Sequence, residues 1–343
     1  FVYADNAATT CVSKTAREAM MPYLTERYGN PSSLYAFAQI VTEDLANARA
    51  TVAQCINAEP REIYFTSGGS EADNQAIISA AKLGAKKGKK HIISTKFEHH
   101  AVLHTLKKLE KEGWEVTLLD VHEDGVVRVD ELRDAIREDT CLVTVMFANN
   151  EIGTVQPITE IGAICRERGV PFHTDAVQAA GHMPIDVKAM NIDMLSMSGH
   201  KFHSPKGVGV LYVKRNIPLL SLIEGGTQER GKRGGTENMA YIVGLATAVE
   251  NAYANLPKMQ AVAALRDSLR DRILAAIPHS TLNGPRDGTY RLPGNLNIGF
   301  EYIEGESMLL LLDAAGICAS TGSACSSASL DPSHVLLATG VPH

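Results

Sequence analysis

Short apolar runs and amphipathic stretches alternate through the first two thirds of the chain. Between these runs, apolar residues recur with the spacing of an amphipathic helix, for example over 101–112 and 158–168. Strands that are apolar throughout and alternate with helices predict an α/β fold with a mainly parallel sheet covered on both faces. Ligands of such sheets bind where the strands reach their carboxyl ends. The runs with the length of strands are 63–66, 91–94, 116–119, 142–146 and 170–173.

The last third of the chain has a different pattern. Residues 207–213 follow the preceding elements so closely that they are predicted to close the sheet as an antiparallel strand. Two long helical patterns, near 238–255 and 258–277, lead to strands near 295–300 and a helix near 306–314. We therefore predict a large domain of residues 14–255. The predicted smaller α+β domain comprises residues 1–13 and 256–343.

Composition and charge narrow the class of protein. The chain has 343 residues, of which 45% are hydrophobic, so it can bury a full core. A formal net charge of -6 gives no basic field for nucleic acid, and no apolar run approaches the roughly 18 residues of a membrane helix. The cysteines form no CxxC pair, which favours reduced thiols and a cytoplasmic protein. They are Cys11, Cys55, Cys141, Cys165, Cys318 and Cys325.

A glycine-rich turn after the first predicted strand has the features of a phosphate site. Gly69 and Ser70 open a helical stretch, where free backbone N–H groups bind anions. Ser198 and His200 lie two apart in a segment predicted to be extended, so both could face one anion. Taken alone, each feature is better explained by ordinary capping or by polar residues that close a strand. The phosphate interpretation depends on these turns meeting at one edge of the sheet.

A lysine and an aspartate in neighbouring turns indicate a pyridoxal phosphate (PLP) site. PLP requires a lysine for a Schiff base and an acidic partner for its pyridine nitrogen. Lys201 and Asp175 supply these groups, and Gln178 is placed three residues later to reach the phenolic oxygen. Without Lys201, an aspartate that caps a turn would be the simpler interpretation of Asp175.

Histidine and amide groups follow two further strands. His99 begins a predicted helix and could stack on the cofactor ring or move protons. His100 and His104 have a spacing that fits zinc, but no third ligand lies nearby in the sequence and no metal site is predicted. Asn150 follows another apolar strand and could contact substrate or cofactor, although asparagine is also common in plain turns.

Cys325 lies in a stretch made almost wholly of small residues, with no large apolar side chain to anchor it. Free cysteines are more often buried, and Cys55, Cys141 and Cys165 fit that description because they lie within helical or strand patterns. Cys325 is therefore predicted to be exposed, where a thiolate can attack a sulfur atom and then reach a partner.

The combination of motifs resembles one family, the PLP-dependent cysteine desulfurases. The resemblance extends from residue 3 to residue 342, and the long, serine-rich cysteine loop is similar to that of members linked to iron–sulfur scaffold proteins. The motifs are YADNAATT (3–10), YGNPSS (28–33), FTSGGSEADN (65–74), ANNEIG (148–153), HTDAVQ (173–178), SGHK (198–201), QERGKRGGTEN (228–238) and GSACS (322–326).

The resemblance implies PLP fold type I with a seven-stranded sheet, and a homodimer with L-cysteine as substrate. Cys325 would take the sulfur as a persulfide while L-cysteine becomes L-alanine, and would pass it to an iron–sulfur scaffold or another acceptor; it is also a candidate transient iron–sulfur ligand. Lys201 would bind PLP covalently, and Thr236 would reach the phosphate from the neighbouring subunit. The other implied cofactor residues are Gly69, Ser70, His99, Asn150, Asp175, Gln178, Ser198 and His200.

Two departures from the family pattern leave other hypotheses open. Family members usually continue beyond the position that matches Pro342, with an arginine that binds the substrate carboxylate, and Thr227 stands where a histidine is often found. One alternative is another fold type I enzyme, such as an aminotransferase or a selenocysteine lyase. A second is an inactive form that binds PLP and a scaffold protein.

Overall fold

A seven-stranded sheet forms the centre of the molecule in the computed structural model, which describes residues 1–286, 288–321 and 332–341. Two smaller two-stranded sheets accompany it. The strands are β1 (Val2–Tyr3), β2 (Ile63–Thr66), β3 (His91–Thr95), β4 (Glu115–Leu119), β5 (Thr140–Thr144), β6 (Phe172–Asp175), β7 (Met194–Ser198), β8 (Gly209–Val213), β9 (Ser280–Leu282), β10 (Ile298–Phe300) and β11 (Ile317–Cys318).

The main sheet is mainly parallel with one antiparallel strand, as predicted, but that strand lies inside the sheet and β2 forms the edge. Its strand order is β2-β8-β7-β6-β5-β3-β4, and β8 alone runs antiparallel to its neighbours. The predicted strands over 63–66, 91–94 and 116–119 are found within one residue of their bounds. The strand predicted over 170–173 begins two residues later, because the Val170 N–H closes the preceding helix by bonding to the Cys165 carbonyl and Pro171 has no N–H to donate.

Helices pack on both sides of this sheet. Residues 158–168 form a helix with the predicted bounds, which ends at Gly169 in the left-handed conformation (φ 65°) typical of a helix C-terminus. The helices are α1 (Lys14–Met20), α2 (Pro22–Thr25), α3 (Ala36–Cys55), α4 (Gly69–Ala85), α5 (His100–Lys111), α6 (Val129–Ala135), α7 (Ile158–Arg168), α8 (Gln228–Gly231), α9 (Met239–Ala254), α10 (Met259–Ala276), α11 (Gly305–Ala314) and α12 (His334–Ala338).

The apolar core occupies both faces of the main sheet. Consecutive strand residues alternate between the two layers: Ile92 and Leu142 pack in one layer, whereas Ile93 and Val143 pack in the other. This double burial explains why the strand sequences are apolar throughout rather than alternating. Cys141 and Cys165 are buried in these layers as predicted, and Cys55 is half-buried.

The N-terminal segment connects distant parts of the chain. β1 pairs in parallel with β11, as expected if the first residues pack with the predicted small domain. Thr10 instead bonds to the His200 carbonyl of the large predicted domain, so this segment contacts both. The domain bounds stay a prediction. Among the described residues, no helix has the length and apolar character needed to cross a membrane.

Candidate functional site

The turns at the carboxyl ends of β2 and β7 meet at one edge of the sheet. Thr66 and Ser198, the last residues of these strands, both pair with Gly209 of β8. The turn that follows β2 crosses directly over β8, because a side chain on Gly209 would place its Cβ 2.7 Å from the Gly68 Cα. Gly68 itself has φ 155° and ψ -177°, a conformation available essentially only to glycine. Backbone therefore approaches backbone here without intervening side chains.

This turn leads into the N-terminus of α4. Gly69 is buried, and a Cβ at this position would lie 2.6 Å from Cγ2 of Val177 and 3.5 Å from Cβ of Ser198. Ser70 is exposed in the first turn of α4, and Ser198 is buried. The structure thus brings Gly69 and Ser198 together at a helix N-terminus, which carries the free N–H groups and partial positive charge that favour phosphate.

Lys201 lies in a 3₁₀ turn that directly follows β7. The prediction of an extended segment from Ser198 to His200 is wrong, because residues 199–201 are helical. The Lys201 Nζ donates hydrogen bonds of 2.5 Å and 2.9 Å to the carbonyl oxygens of Ala7 and Ala8. His200 Nδ1 lies 3.1 Å from the Thr9 hydroxyl, and burial is the main cause that lowers the pKa of His200 to about 4.

Asp175 ends β6 at the same edge of the sheet. Its carboxylate accepts the Val177 N–H at 2.9 Å, which shapes the turn that carries Gln178. The Gln178 amide donates to the Ala7 carbonyl at 3.1 Å, so Gln178 and Lys201 converge on the same backbone oxygen. Burial raises the pKa of Asp175, whereas the nearby charges of His99 and Lys201 act in the opposite direction.

His99 is the N-cap of α5. Its Nδ1 accepts the Ala101 N–H at 3.1 Å, so the neutral ring carries its proton on Nε2. Burial lowers the pKa of His99 while the negative charge of Asp175 raises it. A neutral, partly buried imidazole next to a carboxylate is suited to stacking or to proton transfer.

Two buried carboxyl groups, those of Asp73 and Glu98, interact electrostatically with Asp175. Glu98 is fully buried, and burial raises its pKa to about 8 even though it accepts hydrogen bonds from the Thr95 hydroxyl and the Met146 N–H. Asp73 of α4 is also buried, and its pKa is raised by burial and by the charge of Asp175. Asp175 is the member of this group that faces the cationic Lys201, so it is best placed to hold a negative charge.

The remaining predicted residues lie on other segments of the chain. The Asn150 carbonyl accepts a hydrogen bond of 3.2 Å from Asn295, which belongs to the predicted small domain. Thr236 is exposed in the segment before α9. Cys325 lies outside the described residues. His100 packs against His104 and His334 with ring-centroid distances of 5.1 Å and 4.7 Å, yet no group of potential ligands for a metal ion occurs within the described ranges.

Comparison with known proteins identifies the chain. The family model for class-V aminotransferases matches residues 2–340. The protein "Cysteine desulfurase IscS" of Clostridium botulinum (strain Hall) is 57% identical over 343 residues, which cover 100% of this chain and 86% of that protein. The chain belongs to the cysteine desulfurases of the class-V aminotransferase family. The desulfurase of the same name from Methanosarcina thermophila is 56% identical, with coverage of 100% and 84%.

Solved structures of similar proteins support this family assignment. A "NifS-like protein" superposes with a TM-score of 0.93 and 37% identity, covering 100% of this chain and 90% of the other. The structure titled "SspA in complex with cysteine" gives a TM-score of 0.87 with 38% identity and coverage of 100% and 95%. The predicted PLP fold type I is therefore confirmed.

The cofactor of this desulfurase family is PLP, and the site fits it. The glycine turn after β2 leads directly into the N-terminus of α4, whose free backbone N–H groups suit a phosphate. Asp175 is a buried acid at a strand end, and Lys201 is a primary amine in the adjacent turn. These are the anion, acid and amine that the phosphate, ring nitrogen and aldehyde of PLP require.

Some groups at the site were not predicted from the sequence. The Ala7 and Ala8 carbonyls that bind Lys201 have no side-chain signal, and long-range contacts such as the bond from Thr10 to the His200 carbonyl bring the N-terminal segment to this edge. Glu98 was also missed. A glutamate directly before a histidine that caps a helix could have been noticed, because that position lies at the carboxyl end of a buried strand.

Proposed function

We propose that this chain converts L-cysteine to L-alanine and transfers the sulfur to Cys325 as a persulfide. The observation that supports this most strongly is the convergence of Lys201 and Asp175 on a helix N-terminus, in a chain 57% identical to a named cysteine desulfurase. The thiol of Cys325 distinguishes this function from aminotransfer, which has no use for a nucleophilic thiol.

The cofactor would be held at both of its ends. Lys201 would attach to its aldehyde carbon, Asp175 would pair with the protonated ring nitrogen, and Gln178 would contact the phenolic oxygen. His99 would stack on the ring face, and Asn150 would lie near cofactor and substrate. The residues proposed to bind the phosphate are Gly69, Ser70, Ser198 and His200, with Thr236 from a neighbouring subunit.

Different residues would carry out the proton transfers and the sulfur transfer. Bound PLP withdraws electrons from the carbon atoms of the substrate. The Lys201 amine and the His99 imidazole would move the protons at the substrate carbons. The Cys325 thiolate attacks the substrate sulfur, and the Cβ–S bond breaks with its electron pair remaining on carbon. Protonation of that carbon yields alanine, and the transferred sulfur remains on Cys325 as a persulfide.

We further propose a cytoplasmic homodimer that delivers sulfur to an acceptor such as an iron–sulfur scaffold protein. Thr236 supports the dimer, because it is exposed within one chain and would be available to a second. The net charge of -6 does not favour binding of nucleic acid to this chain.

The test is alanine production from cysteine by the PLP-loaded protein, compared with Cys325→Ala under the same reductant. The Cys325→Ala variant should lose alanine formation. The control Cys11→Ala changes an exposed cysteine that is far from Cys325 in the sequence, and it should retain alanine formation. Mass spectrometry of the protein after substrate addition should show one added sulfur on Cys325. Equal alanine formation by the parent protein and Cys325→Ala would contradict the proposed role of this residue and indicate a different lyase.

A further inference from the structure

Side chains complete the outer edge of the main sheet. β2 is the terminal strand, so its outward-facing backbone groups have no neighbouring strand. The Phe65 N–H donates to the Glu229 carboxylate at 3.0 Å. The Ile63 carbonyl accepts hydrogen bonds from Arg49 at 2.8 Å and from Arg230 at 2.6 Å. These hydrogen bonds hold the segment around α8 against β2. In the sequence, β2 directly precedes the turn that leads into α4.

Arg49 and Glu229 form the central contact of this edge. Their side chains make two parallel hydrogen bonds of 2.7 Å, and their exposed fractions are only 11% and 3%. The Arg49 guanidinium also lies 4.8 Å from the centre of the Phe65 ring. Removal of one member of such a buried pair leaves the other charge uncompensated, so the two depend on each other.

The backbone at Glu229 is in an unfavourable conformation. Glu229 and Arg230 have φ angles of 46° and 58°, in the left-handed region that ordinary residues avoid. Such a conformation is unfavourable for a residue with a side chain, and it persists where the surrounding contacts fix it. The bonds from Arg49 and Phe65 to the Glu229 carboxylate provide that fixation.

A second ion pair joins the same segment to the first turn of α4. Arg233 Nε donates to Glu71 at 3.0 Å, and the same carboxylate accepts the Ser67 N–H at 2.9 Å. Burial opposes ionisation of Glu71, but the hydrogen bonds from Arg233 and Ser67 lower its pKa below the ordinary value. Glu71 therefore places a negative charge beside the N-terminus of α4, and Arg233 compensates it.

We infer that the Arg49–Glu229 and Glu71–Arg233 pairs are positioning residues for the phosphate end of the cofactor site. They hold β2 and the first turn of α4 in register with the segment that leads to Thr236, so that phosphate is bound by a preformed set of donors. This inference rests on the proposed function, and it assigns to the two pairs the preference for PLP over pyridoxal, its analogue without phosphate.

The experiment compares the binding of PLP and of pyridoxal to the apoprotein by absorbance titration. Glu229→Gln and Arg233→Met should each weaken PLP by at least about tenfold, equivalent to ~1.4 kcal/mol, and leave pyridoxal affinity within about twofold. Arg233→Lys, which keeps the charge, should recover part of the loss. The matched control is Arg133→Met, which breaks the exposed ion pair of Arg133 with Glu167.

Circular dichroism and the urea unfolding midpoint of each apoprotein establish that the variants are folded. If Glu229→Gln does not fold, Arg233→Met decides the question, because its side chain is 25% exposed and its loss is better tolerated. An equal loss of PLP and pyridoxal affinity, or no loss of either, would overturn the inference. A parent protein that binds PLP no more tightly than pyridoxal would instead contradict the proposed PLP site itself.

Discussion

Glu98 makes the stability of the protein depend on pH. Its pKa is raised from 4.5 to about 8 by burial, and it lies near Asp73 and Asp175. The unfolded chain therefore releases the Glu98 proton at lower pH than the native protein, so stability falls as pH rises from about 4.5 to about 8. Glu98→Gln cannot ionise but retains the oxygen that accepts from Thr95 and Met146. We expect the free energy of unfolding of this variant, relative to the parent, to be higher at pH 7 than at pH 5 by roughly 2 kcal/mol.

Urea unfolding of the two apoproteins at both pH values measures this difference. Other titrating groups are common to both proteins and cancel in the comparison. Asp120→Asn is the matched control, because Asp120 is an exposed partner of Lys96 and its pKa is lowered rather than raised. A constant difference between Glu98→Gln and the parent across this range would show that Glu98 is ionised in the native protein.

Individual residues were predictable where their chemical type alone narrows the role. Lys201 and Asp175 follow strands in the sequence, and the structure places them in adjacent turns, close enough for their charges to interact. The contacts that hold Lys201 were not predictable, because they come from carbonyl groups of Ala7 and Ala8. A backbone carbonyl is present in every residue, so only the fold can select which one is used.

The α4 helix packs against the Asp175 turn so closely that position 69 must be glycine. A Cβ there would lie 2.6 Å from Val177 Cγ2, which is far inside van der Waals contact. Gly69→Ala should therefore displace the first turn of α4 from the sheet edge. Overpacking of this kind costs about 1–3 kcal/mol, so we expect PLP affinity to fall by roughly 5- to 150-fold.

The second change Val177→Ala removes the methyl group that would clash. The double variant Gly69→Ala/Val177→Ala should recover most of the PLP affinity, measured by absorbance titration of the apoproteins. Gly294→Ala serves as the control, because its Cβ would meet only Val262 at 3.8 Å. Failure of Val177→Ala to restore binding would mean that the loss arises from the helix N-terminus itself and not from this contact.

Elements with strong local signals were predicted closely, and those set by tertiary contacts were not. α7 has its predicted bounds because Pro157 precedes it and Gly169 ends it. The 3₁₀ turn of residues 199–201 was not predicted, since the Gly199 N–H bonds to the Val208 carbonyl and the turn is closed by the distant segment at Thr10. Sequence patterns describe local preference, and this turn is fixed by contacts far along the chain.

The N-terminal segment contacts both Lys201 and the strand β11 near the other end of the chain. β1 pairs with β11, the last strand before the segment of Cys325, and Asp5 accepts a hydrogen bond of 2.8 Å from Ser320. A few residues later the same segment supplies the carbonyl groups that bind Lys201. Movement of this segment would therefore change both the hydrogen bonds to Lys201 and the hydrogen bond between Asp5 and Ser320.

Thr10 is the residue that fixes this segment to the Lys201 turn. It is buried, its hydroxyl donates to the His200 carbonyl at 2.8 Å, and it accepts the His203 N–H at 2.8 Å. Thr10→Val preserves the shape but leaves these two partners without the hydroxyl, which should lower the free energy of unfolding by about 1–3 kcal/mol. Because Ala7 and Ala8 would lose their register with Lys201, we also expect slower reaction of Lys201 with added PLP, followed by absorbance.

Thr10→Ser retains the hydroxyl and should keep the parent rate. A Thr10→Val protein that is less stable but reacts with PLP at the parent rate would show that Thr10 contributes to folding without positioning Lys201.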